Sequence, residues 1–357
     1  MYSVVGLLPK LRRGVMRFIR LADLIAVNLI VSIVCVEATL RILGSFSISP
    51  LLTPPSASAE EVLQKYQGRP HGTFNDKRLN SLGFFDEEFS KRRVRGVRKI
   101  AALADSFGIG VVPYKANFLT ILDDLLDERS PTDVYNFAVP AIGPTDQLYL
   151  YRTQVREFEP DLVLLCFFIG NDIEYREERS IFSVDSLYLP TLIRRLFSIR
   201  RYGLDLPLTD ENQPTFSVED FFRIELGRMQ LAVRPLRSPA FSAIQKTYTY
   251  TFDVLARMHD EIGSKLHVAL IPDEYQVNDR LFTAVAAYSK APRLFDRDAP
   301  NRRIKRFLEN NEIAYLDLLE PIRSAQRGGV TYKLRDTHWN VRGNLVAAEA
   351  LAAWLSE

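Results

Sequence analysis

Five short apolar runs alternate along the chain with segments of helical periodicity, and this alternation restricts the fold more than any other feature. Each run is bounded by charged or turn-forming residues, as buried strands are. The runs are Ile100–Ala104, Val134–Phe137, Leu162–Phe168, Leu266–Ile271 and Ala314–Leu316. Strands that alternate with helices form a parallel sheet with helices on both faces. The sequence therefore predicts an α/β domain whose ligands bind beyond the carboxyl ends of the strands.

Apolar residues recur at helical spacing between these runs. The clearest sets are Phe118, Ile121, Leu122, Leu125 and Leu126, then Leu148, Tyr151, Val155 and Phe158, and the alanine-rich segment 345–355. Residues from about 174 to 242 break the rhythm, because their aromatic, arginine and proline residues follow no clean period. We interpret this stretch as an insertion in the domain, either a lid or a partner surface.

The first fifty residues differ from the rest of the chain. A basic segment over 1–20 precedes an apolar run over 21–43 whose centre, Leu24–Val36, carries no charge. About 20 apolar residues cross a bilayer as a helix, and the basic flank predicts a cytoplasmic N-terminus with the remainder outside the cytoplasm. Glu37 and Arg41 lie four residues apart and can pair on one helix face. A cleaved signal peptide, although without a convincing small-x-small cleavage site, and a buried globular helix are the alternatives.

The chain thus divides into a cytoplasmic basic segment (1–20), a membrane anchor (21–43), a linker rich in Ser, Pro and Ala (44–74) and a globular domain (75–357) that carries the insertion. Its 46 basic and 44 acidic residues leave a net charge of only +2, so nothing points to a nucleic-acid partner. Two cysteines give no disulfide framework. Four histidines form no cluster of metal ligands, and no metal or cofactor is expected.

Residues with catalytic chemistry follow successive strands. Ser106 stands after the first strand in ALADSFGIG, where glycines permit the tight turn that exposes a nucleophile. NFAVPAIGPTDQ follows the second strand and can offer a backbone N–H to an oxyanion. CFFIGNDI follows the third strand, where Asn171 supplies either an amide donor or a helix cap. Each of these features taken singly is compatible with an ordinary loop.

The fourth feature, RDTHWNVRGN, places Asp336 two residues before His338. A histidine base needs a carboxylate that fixes its tautomer and stabilises its charged form. Taken singly, His338 can be a solvated loop residue and Asn340 a helix cap. Taken together, serine, backbone donor, asparagine and the Asp/His pair predict one site at the edge of one sheet.

In this order the four blocks resemble those of the SGNH, or GDSL-like, hydrolase superfamily. ALADSFGIG is similar to its nucleophile block, FFIGNDI to its asparagine block and DTHWNVRG to its histidine block. The Glu37/Arg41 pair, RLNSLGFFDEEF and LIPDEYQV resemble the membrane-anchored bacterial branch, with its esterases and alginate-type O-acetyltransferases. The resemblance spans about residues 75–355, apart from the insertion. It implies a three-layer αβα domain with a five-stranded parallel, flavodoxin-like sheet.

The resemblance also implies roles. Ser106 would be the nucleophile, His338 the general base and Asp336 the residue that orients the base. Four residues are candidates for contact with substrate: Asp105, Asp172, Asp273 and Trp339. The short Asp-x-His-Trp spacing resembles that of the alginate-type acetyltransferases.

The implied oxyanion donors are the N–H of Ser106, the side-chain amide of Asn171 and the N–H of Ala141 or Gly143. Two positions depart from the superfamily pattern. Alanine stands at 104 and 141, where the pattern has glycine. A backbone N–H can still donate from alanine, although the methyl group narrows the space above the peptide. If the geometry fails, the chain would be a degenerate member that binds without catalysis.

The chemistry expected of this site is acyl transfer through Ser106 to water or to a hydroxyl group. By family analogy, the substrate is an ester-bearing cell-envelope carbohydrate, O-acetylated in the first instance. The expected partners are this carbohydrate, the lipid bilayer through residues 21–43 and an acyl donor held in the membrane. Lipid or thioester hydrolysis and non-catalytic glycan binding are the alternatives.

Overall fold

The computed structural model describes residues 7–45, 58–74, 76–175, 187–190, 192–193, 213–233, 239–289 and 291–356. The chain divides into two compact units, which we describe separately. The first comprises Met1–Ala57 with Glu177–Gly203, and the second comprises Ser58–Arg176 with Leu204–Glu357.

The first unit contains helix α1, Leu7–Ser45. Within it, Ala22–Leu43 has a mean hydropathy of 2.0, and none of this span is buried in the structure. A helix of this length and composition can cross a membrane. Glu37 accepts the predicted hydrogen bond from Arg41 at 2.9 Å. The same carboxylate also accepts from the backbone N–H groups of Tyr188 and Leu189, so it anchors a second segment of this unit.

The second unit is built on the predicted five-stranded sheet. Its strands are β1 (Arg98–Leu103), β2 (Thr132–Asn136), β3 (Leu162–Phe168), β4 (Leu266–Ile271) and β5 (Ala314–Asp317). Their order is β2-β1-β3-β4-β5, and all neighbours run parallel. This is the flavodoxin-like order, in which ligands bind where the strand order reverses, between β1 and β3. The fold class predicted from the sequence is therefore confirmed.

Helices cover both faces of this sheet. The helices of this unit are α2 (Ala59–Tyr66), α3 (Phe118–Asp127), α4 (Pro144–Leu150), α5 (Val218–Met229), α6 (Pro239–Ile262), α7 (Glu274–Val277), α8 (Asp279–Tyr288), α9 (Ala299–Asn310), α10 (Leu319–Gly328) and α11 (Val341–Leu355). Side chains alternate between faces along a strand. Ile100 and Ala102 accordingly join the core formed with α3 and α11, whereas Ala101 and Leu103 join the core formed with α4, α6 and α9. The result is the expected three-layer arrangement.

Residues 58–74, predicted as part of the linker, belong instead to the folded domain. Ser58 Oγ accepts from the Glu61 N–H at 3.3 Å, and the Glu61 carboxylate accepts from the Ser58 N–H at 2.7 Å. This capping box starts α2, whose Leu63 is buried. A capping box satisfies two backbone donors reciprocally and stabilises a helix start. Its S-x-x-E signature lies inside a Ser- and Ala-rich stretch, and composition alone obscures it.

The structure describes the predicted insertion, 174–242, in part. Residues 176–186, 191, 194–212 and 234–238 lie outside the described part of the chain. Among the described residues, Val218–Met229 form α5 and 239–242 begin α6. Phe221 and Met229 of α5 pack in one apolar cluster with Tyr275 and Leu281, which follow β4. Helix α5 of the insertion thus packs against residues that follow the carboxyl end of β4.

Candidate active site

The predicted nucleophile stands on a tight turn directly after β1. Ser106 opens a single 3₁₀ turn, Ser106–Gly108, and is half-buried. Asp105 caps this turn, because its carboxylate accepts from the Phe107 N–H at 2.9 Å. The turn lifts the serine hydroxyl out of the strand direction at the carboxyl edge of the sheet, where a nucleophile is accessible.

Close packing below the turn explains the alanine at 104. A Cβ atom on Gly108 would lie 2.4 Å from the Cβ of Ala138 and 2.8 Å from the Cβ of Ala104. Position 108 must therefore be glycine, and the methyl group of Ala104 occupies the space this glycine leaves. Ala104 is fully buried beneath the turn. Its methyl group thus contributes to the core.

The three predicted catalytic side chains form one hydrogen-bonded series. Nε2 of His338 lies 2.8 Å from Oγ of Ser106, and Nδ1 lies 2.7 Å from Oδ1 of Asp336. The same carboxylate oxygen accepts from the backbone N–H of His338 at 3.0 Å. This arrangement orients the ring so that Nδ1 donates to the carboxylate and Nε2 accepts the serine proton.

The environment of Asp336 keeps its carboxylate ionised. Burial alone would raise the pKa of Asp336, but hydrogen bonds from His338 and from the hydroxyl of Thr215, together with the charge of His338, outweigh that effect. The pKa is held well below its usual range. An ionised carboxylate at this position stabilises the imidazolium that forms when His338 takes a proton.

The structure distinguishes the two backbone candidates for the oxyanion hole. The N–H of Gly143 donates to Oδ2 of Asp146 at 3.3 Å, within the capping arrangement of α4. The N–H groups of Ser106 and Ala141 donate to no group in the part of the chain that the structure describes. A hydrogen bond from Val139 to Ala104 at 3.1 Å extends the β1–β2 pairing and brings the Ala141 loop beside the serine turn. Of the two N–H groups, that of Ala141 is the one without an acceptor among the described residues.

Asn171 is held next to the nucleophile by its side chain. Its amide nitrogen donates to Oδ2 of Asp105 at 3.2 Å, and Asp105 directly precedes Ser106. Residues 171–173 form a turn, so Asn171 does not cap a helix. The Asn171 side chain is exposed, and an amide has a second N–H that can donate to an oxyanion.

No family model and no curated protein matches this chain, whereas solved structures do. A lipase/acylhydrolase from Enterococcus faecalis is 12% identical with a TM-score of 0.40, covering 72% of this chain and 95% of its own. A lipolytic G-D-S-L family protein from Veillonella parvula is 13% identical, with a TM-score of 0.39 and coverages of 73% and 99%. An acetyl xylan esterase is 11% identical, with a TM-score of 0.38 and coverages of 72% and 98%.

The chain resembles the SGNH, or GDSL-like, hydrolases. The likeness concerns the fold, and the chemistry of the site lies in its own geometry.

The four residues predicted for substrate contact are all buried. Asp105, Asp172 and Asp273 are 0% exposed and Trp339 is 1% exposed. Such side chains have no surface to offer a substrate, so we assign them to positioning instead. Trp339 packs edge-on against Phe107, with ring centroids 4.9 Å apart, and supports the turn that carries Ser106.

The three carboxyl groups support the turns at the sheet edge. Asp172 accepts from the Phe168 N–H at 2.8 Å, and burial together with nearby Asp105 raises the pKa of Asp172 well above its usual value. Asp273 lies behind the third turn, since a Cβ on Gly170 would come within 2.3 Å of its Oδ2. These contacts fix the β3 turn from below and leave the Asn171 amide at the surface.

Two further residues, Thr215 and Lys333, lie near Asp336 and were not predicted from the sequence. Thr215, from the predicted insertion, donates its hydroxyl proton to Oδ2 of Asp336. Lys333, buried in the same loop as Asp336, donates to Oγ1 of Thr215 at 3.0 Å. Thr215 lies in a stretch without periodicity, and no local motif links it to a residue 121 positions away. Lys333 lies three residues before Asp336, and its burial is not evident from sequence.

The site combines a serine hydroxyl, an imidazole, a carboxylate and N–H groups that have no acceptor in the described part of the chain. A serine hydroxyl that donates to a neutral imidazole can attack a carbonyl carbon, because the ring removes the proton as the bond forms. Free N–H groups beside it can accept the charge that develops on the carbonyl oxygen. Such a set of groups can in chemical terms carry out acyl transfer from an ester.

Proposed function

We propose that this chain is a membrane-anchored SGNH-type serine enzyme that hydrolyses or transfers acyl groups of esters. The observation that carries the proposal is the hydrogen-bonded series from Ser106 through His338 to Asp336, with distances of 2.8 and 2.7 Å. The series stands at the carboxyl edge of a parallel sheet, next to the strand reversal where such sheets bind ligands.

The proposed reaction uses each group of this series in turn. Nε2 of His338 takes the proton from Ser106 while Oγ bonds to the acyl carbon, and the carbonyl electron pair moves onto oxygen. The N–H groups of Ser106, Ala141 and Asn171 stabilise that oxyanion. When the carbonyl re-forms, the C–O bond to the alcohol breaks and His338 returns the proton to the departing oxygen. Water or a sugar hydroxyl, deprotonated by His338, then bonds to the acyl carbon. The bond from that carbon to Oγ breaks, and His338 returns the proton to Ser106.

The substrate we propose is an O-acetylated carbohydrate of the cell envelope. Two features support it. The basic segment before Ala22–Leu43 favours a domain outside the cytoplasm by the positive-inside rule. The side chains beside the oxyanion position, Ala141 and Asn171, are exposed, and an open site suits a polymer chain better than a single enclosed ligand. If a sugar hydroxyl is the acceptor, the enzyme is a transferase. In that case an acyl donor in the membrane supplies the acyl group.

The test uses the full-length chain in detergent. A fluorophosphonate probe should label wild-type protein at Ser106. Acetate release from O-acetylated glycans should fall by about 10⁴- to 10⁶-fold in Ser106→Ala. Ser324→Ala, an exposed serine on α10, is the matched control and should behave as wild type. Adding an acceptor sugar separates transfer from hydrolysis, because a transferase moves acetate to the sugar instead of releasing it.

Folded wild-type protein that takes no label at Ser106 and releases no acetate would overturn the proposal and favour the non-catalytic glycan-binding alternative. Turnover of lipid esters or thioesters, with none on acetylated glycans, would keep Ser106 and replace the substrate.

A further inference from the structure

The second half of the insertion is joined to the loop that carries the catalytic acid. The N–H of Thr215 donates to the carbonyl of Leu334 at 3.3 Å, and the N–H of Phe216 donates to the carbonyl of Arg335 at 3.2 Å. Both acceptors directly precede Asp336 in the chain. Two backbone hydrogen bonds therefore seat residues 215–216 against the histidine loop.

The side chain of Thr215 completes this connection. Its hydroxyl donates to Oδ2 of Asp336, and Oγ1 accepts from Nζ of Lys333 at 3.0 Å. Nζ of Lys333 also lies 3.9 Å from Oδ2 of Asp336, and both side chains are almost fully buried. The result is a continuous series from Lys333 through Thr215, Asp336 and His338 to Ser106.

The chemistry of these groups gives the series a direction. An ammonium group can only donate, and a hydroxyl has a single proton. Since Oγ1 of Thr215 accepts from Lys333, its own proton points to Asp336, which as an ionised carboxylate can only accept. Lys333 thus sets the orientation of the Thr215 hydroxyl.

Both oxygens of Asp336 are then occupied. Oδ1 accepts from Nδ1 and from the backbone N–H of His338, and Oδ2 accepts from Thr215. Donors on both oxygens hold the plane of the carboxylate relative to the imidazole ring. Without the Thr215 hydroxyl, only the His338 side of the carboxylate would be fixed by a short hydrogen bond.

We propose that Thr215 is a positioning residue for the catalytic acid, and that the insertion acts on catalysis through it. Lys333 assists by orienting the Thr215 hydroxyl. The inference rests on the proposed function, since it concerns the acid of the same triad. His338 is then correctly oriented only when residues 215–216 are hydrogen-bonded to the loop that carries Asp336.

A neighbouring residue separates this role from simple support of the segment. Ser217 lies two positions after Thr215 and caps α5, with Oγ accepting from the Asp220 N–H at 3.1 Å. Its hydroxyl donates to the Asp220 carboxylate at 2.8 Å. Ser217→Ala therefore weakens the start of α5 and leaves the contacts of Asp336 in place.

The experiment compares Thr215→Val, Thr215→Ser and Ser217→Ala in the full-length, detergent-solubilised protein, with p-nitrophenyl acetate as the probe. Valine keeps the shape of threonine and loses the hydroxyl, whereas serine keeps the hydroxyl and loses a methyl group. We expect Thr215→Val to lower kcat/KM by about 10- to 100-fold, the range for a hydrogen bond to a charged group. Thr215→Ser should stay close to wild type. Ser217→Ala should lower Tm and keep kcat/KM.

A purely structural role for Thr215 predicts the opposite order, with valine close to wild type and serine impaired. That order, or wild-type kcat/KM in folded Thr215→Val, would overturn the inference alone. Wild-type protein that neither hydrolyses the probe nor takes a fluorophosphonate at Ser106 would overturn the proposed function and this inference with it.

Discussion

Asparagine in place of Asp336 keeps the shape of the side chain and removes its negative charge. Oδ1 of Asp336 lies 2.7 Å from Nδ1 of His338, so the carboxylate stabilises the imidazolium formed when Ser106 gives up its proton. Opposite charges about 4 Å apart attract by about 4 kcal/mol at an effective dielectric constant of about 20. That energy corresponds to about a 10³-fold change in rate. We therefore expect kcat to fall by about 10³-fold in Asp336→Asn.

The hydrogen bonds add a geometric component to this loss. With its amide nitrogen toward His338, asparagine would face the backbone N–H and the Nδ1 proton, both of them donors. With the nitrogen turned away, it would face the hydroxyl proton of Thr215. Each orientation sets donor against donor, so the ring is held less well in the tautomer that Ser106 requires.

The assay is hydrolysis of p-nitrophenyl acetate, with Tm measured in parallel to show that the variant folds. Asp279→Asn is the matched control, because this aspartate is 82% exposed and pairs with Arg297 on the surface. Its kcat should equal that of wild type. A folded Asp336→Asn protein with kcat within about tenfold of wild type would refute the electrostatic argument. A tenfold change corresponds to only about 1.4 kcal/mol, whereas the loss of the carboxylate charge should cost about 4 kcal/mol.

The same variant reports on the pKa of Asp336 through stability. A carboxyl group whose pKa is lowered by folding stabilises the folded state above its unfolded pKa, about 3.9, and loses that contribution as the pH falls through the folded pKa. The difference in unfolding free energy between wild type and Asp336→Asn should therefore shrink below about pH 4. A difference that stays constant down to the lowest pH at which both proteins fold would contradict a lowered pKa.

Three further predictions concern the oxyanion hole and the anchor. Asn171→Ala should lower kcat by about 10²- to 10³-fold with little change in Tm, and a destabilised variant with full turnover would contradict an oxyanion role. Ala141 has a left-handed φ of 59°, which costs a non-glycine residue about 1–2 kcal/mol. Ala141→Gly removes that strain, but the more flexible glycine increases the entropy of the unfolded chain, which costs about 0.4–1 kcal/mol of stability. The net effect should raise Tm by up to about 4 °C. A lower Tm would contradict the presence of strain at Ala141. A periplasm-dependent reporter at the C-terminus should be active and a cytoplasm-dependent one inactive, and the reverse result would invert the orientation.

The strands were predictable because buried parallel strands are continuous apolar runs. The start of β1 shows the limit of that signal. The sequence placed it at Ile100, whereas the strand begins at Arg98. Lys99 is 3% exposed, and its ammonium donates to the carbonyl of Ser90 at 2.7 Å. A lysine looks like a loop residue by composition, but its long apolar stem can be buried once a carbonyl receives the charged end.

The oxyanion donors show a second limit. The sequence left the N–H groups of Ala141 and Gly143 as alternatives, although the glycine of the superfamily pattern matches position 141 best. The choice depends on Asp146, whose carboxylate accepts from the Gly143 N–H. The burial of Asp105 and Asp172 was likewise not predictable from the sequence. A polar residue that follows a strand has the same sequence signature whether it faces a substrate or supports a turn. Burial depends on which elements pack above the strand ends.

The order of strands and helices, and the meeting of Ser106, Asn171 and His338 at one sheet edge, were determined by the sequence alone. Periodicity and turn chemistry depend on neighbours a few residues apart, and the topology of a parallel sheet then brings successive strand ends together. Only the tertiary structure decided that Thr215 reaches Asp336 across 121 positions. Such a contact depends on how distant segments pack, and no local pattern records that packing.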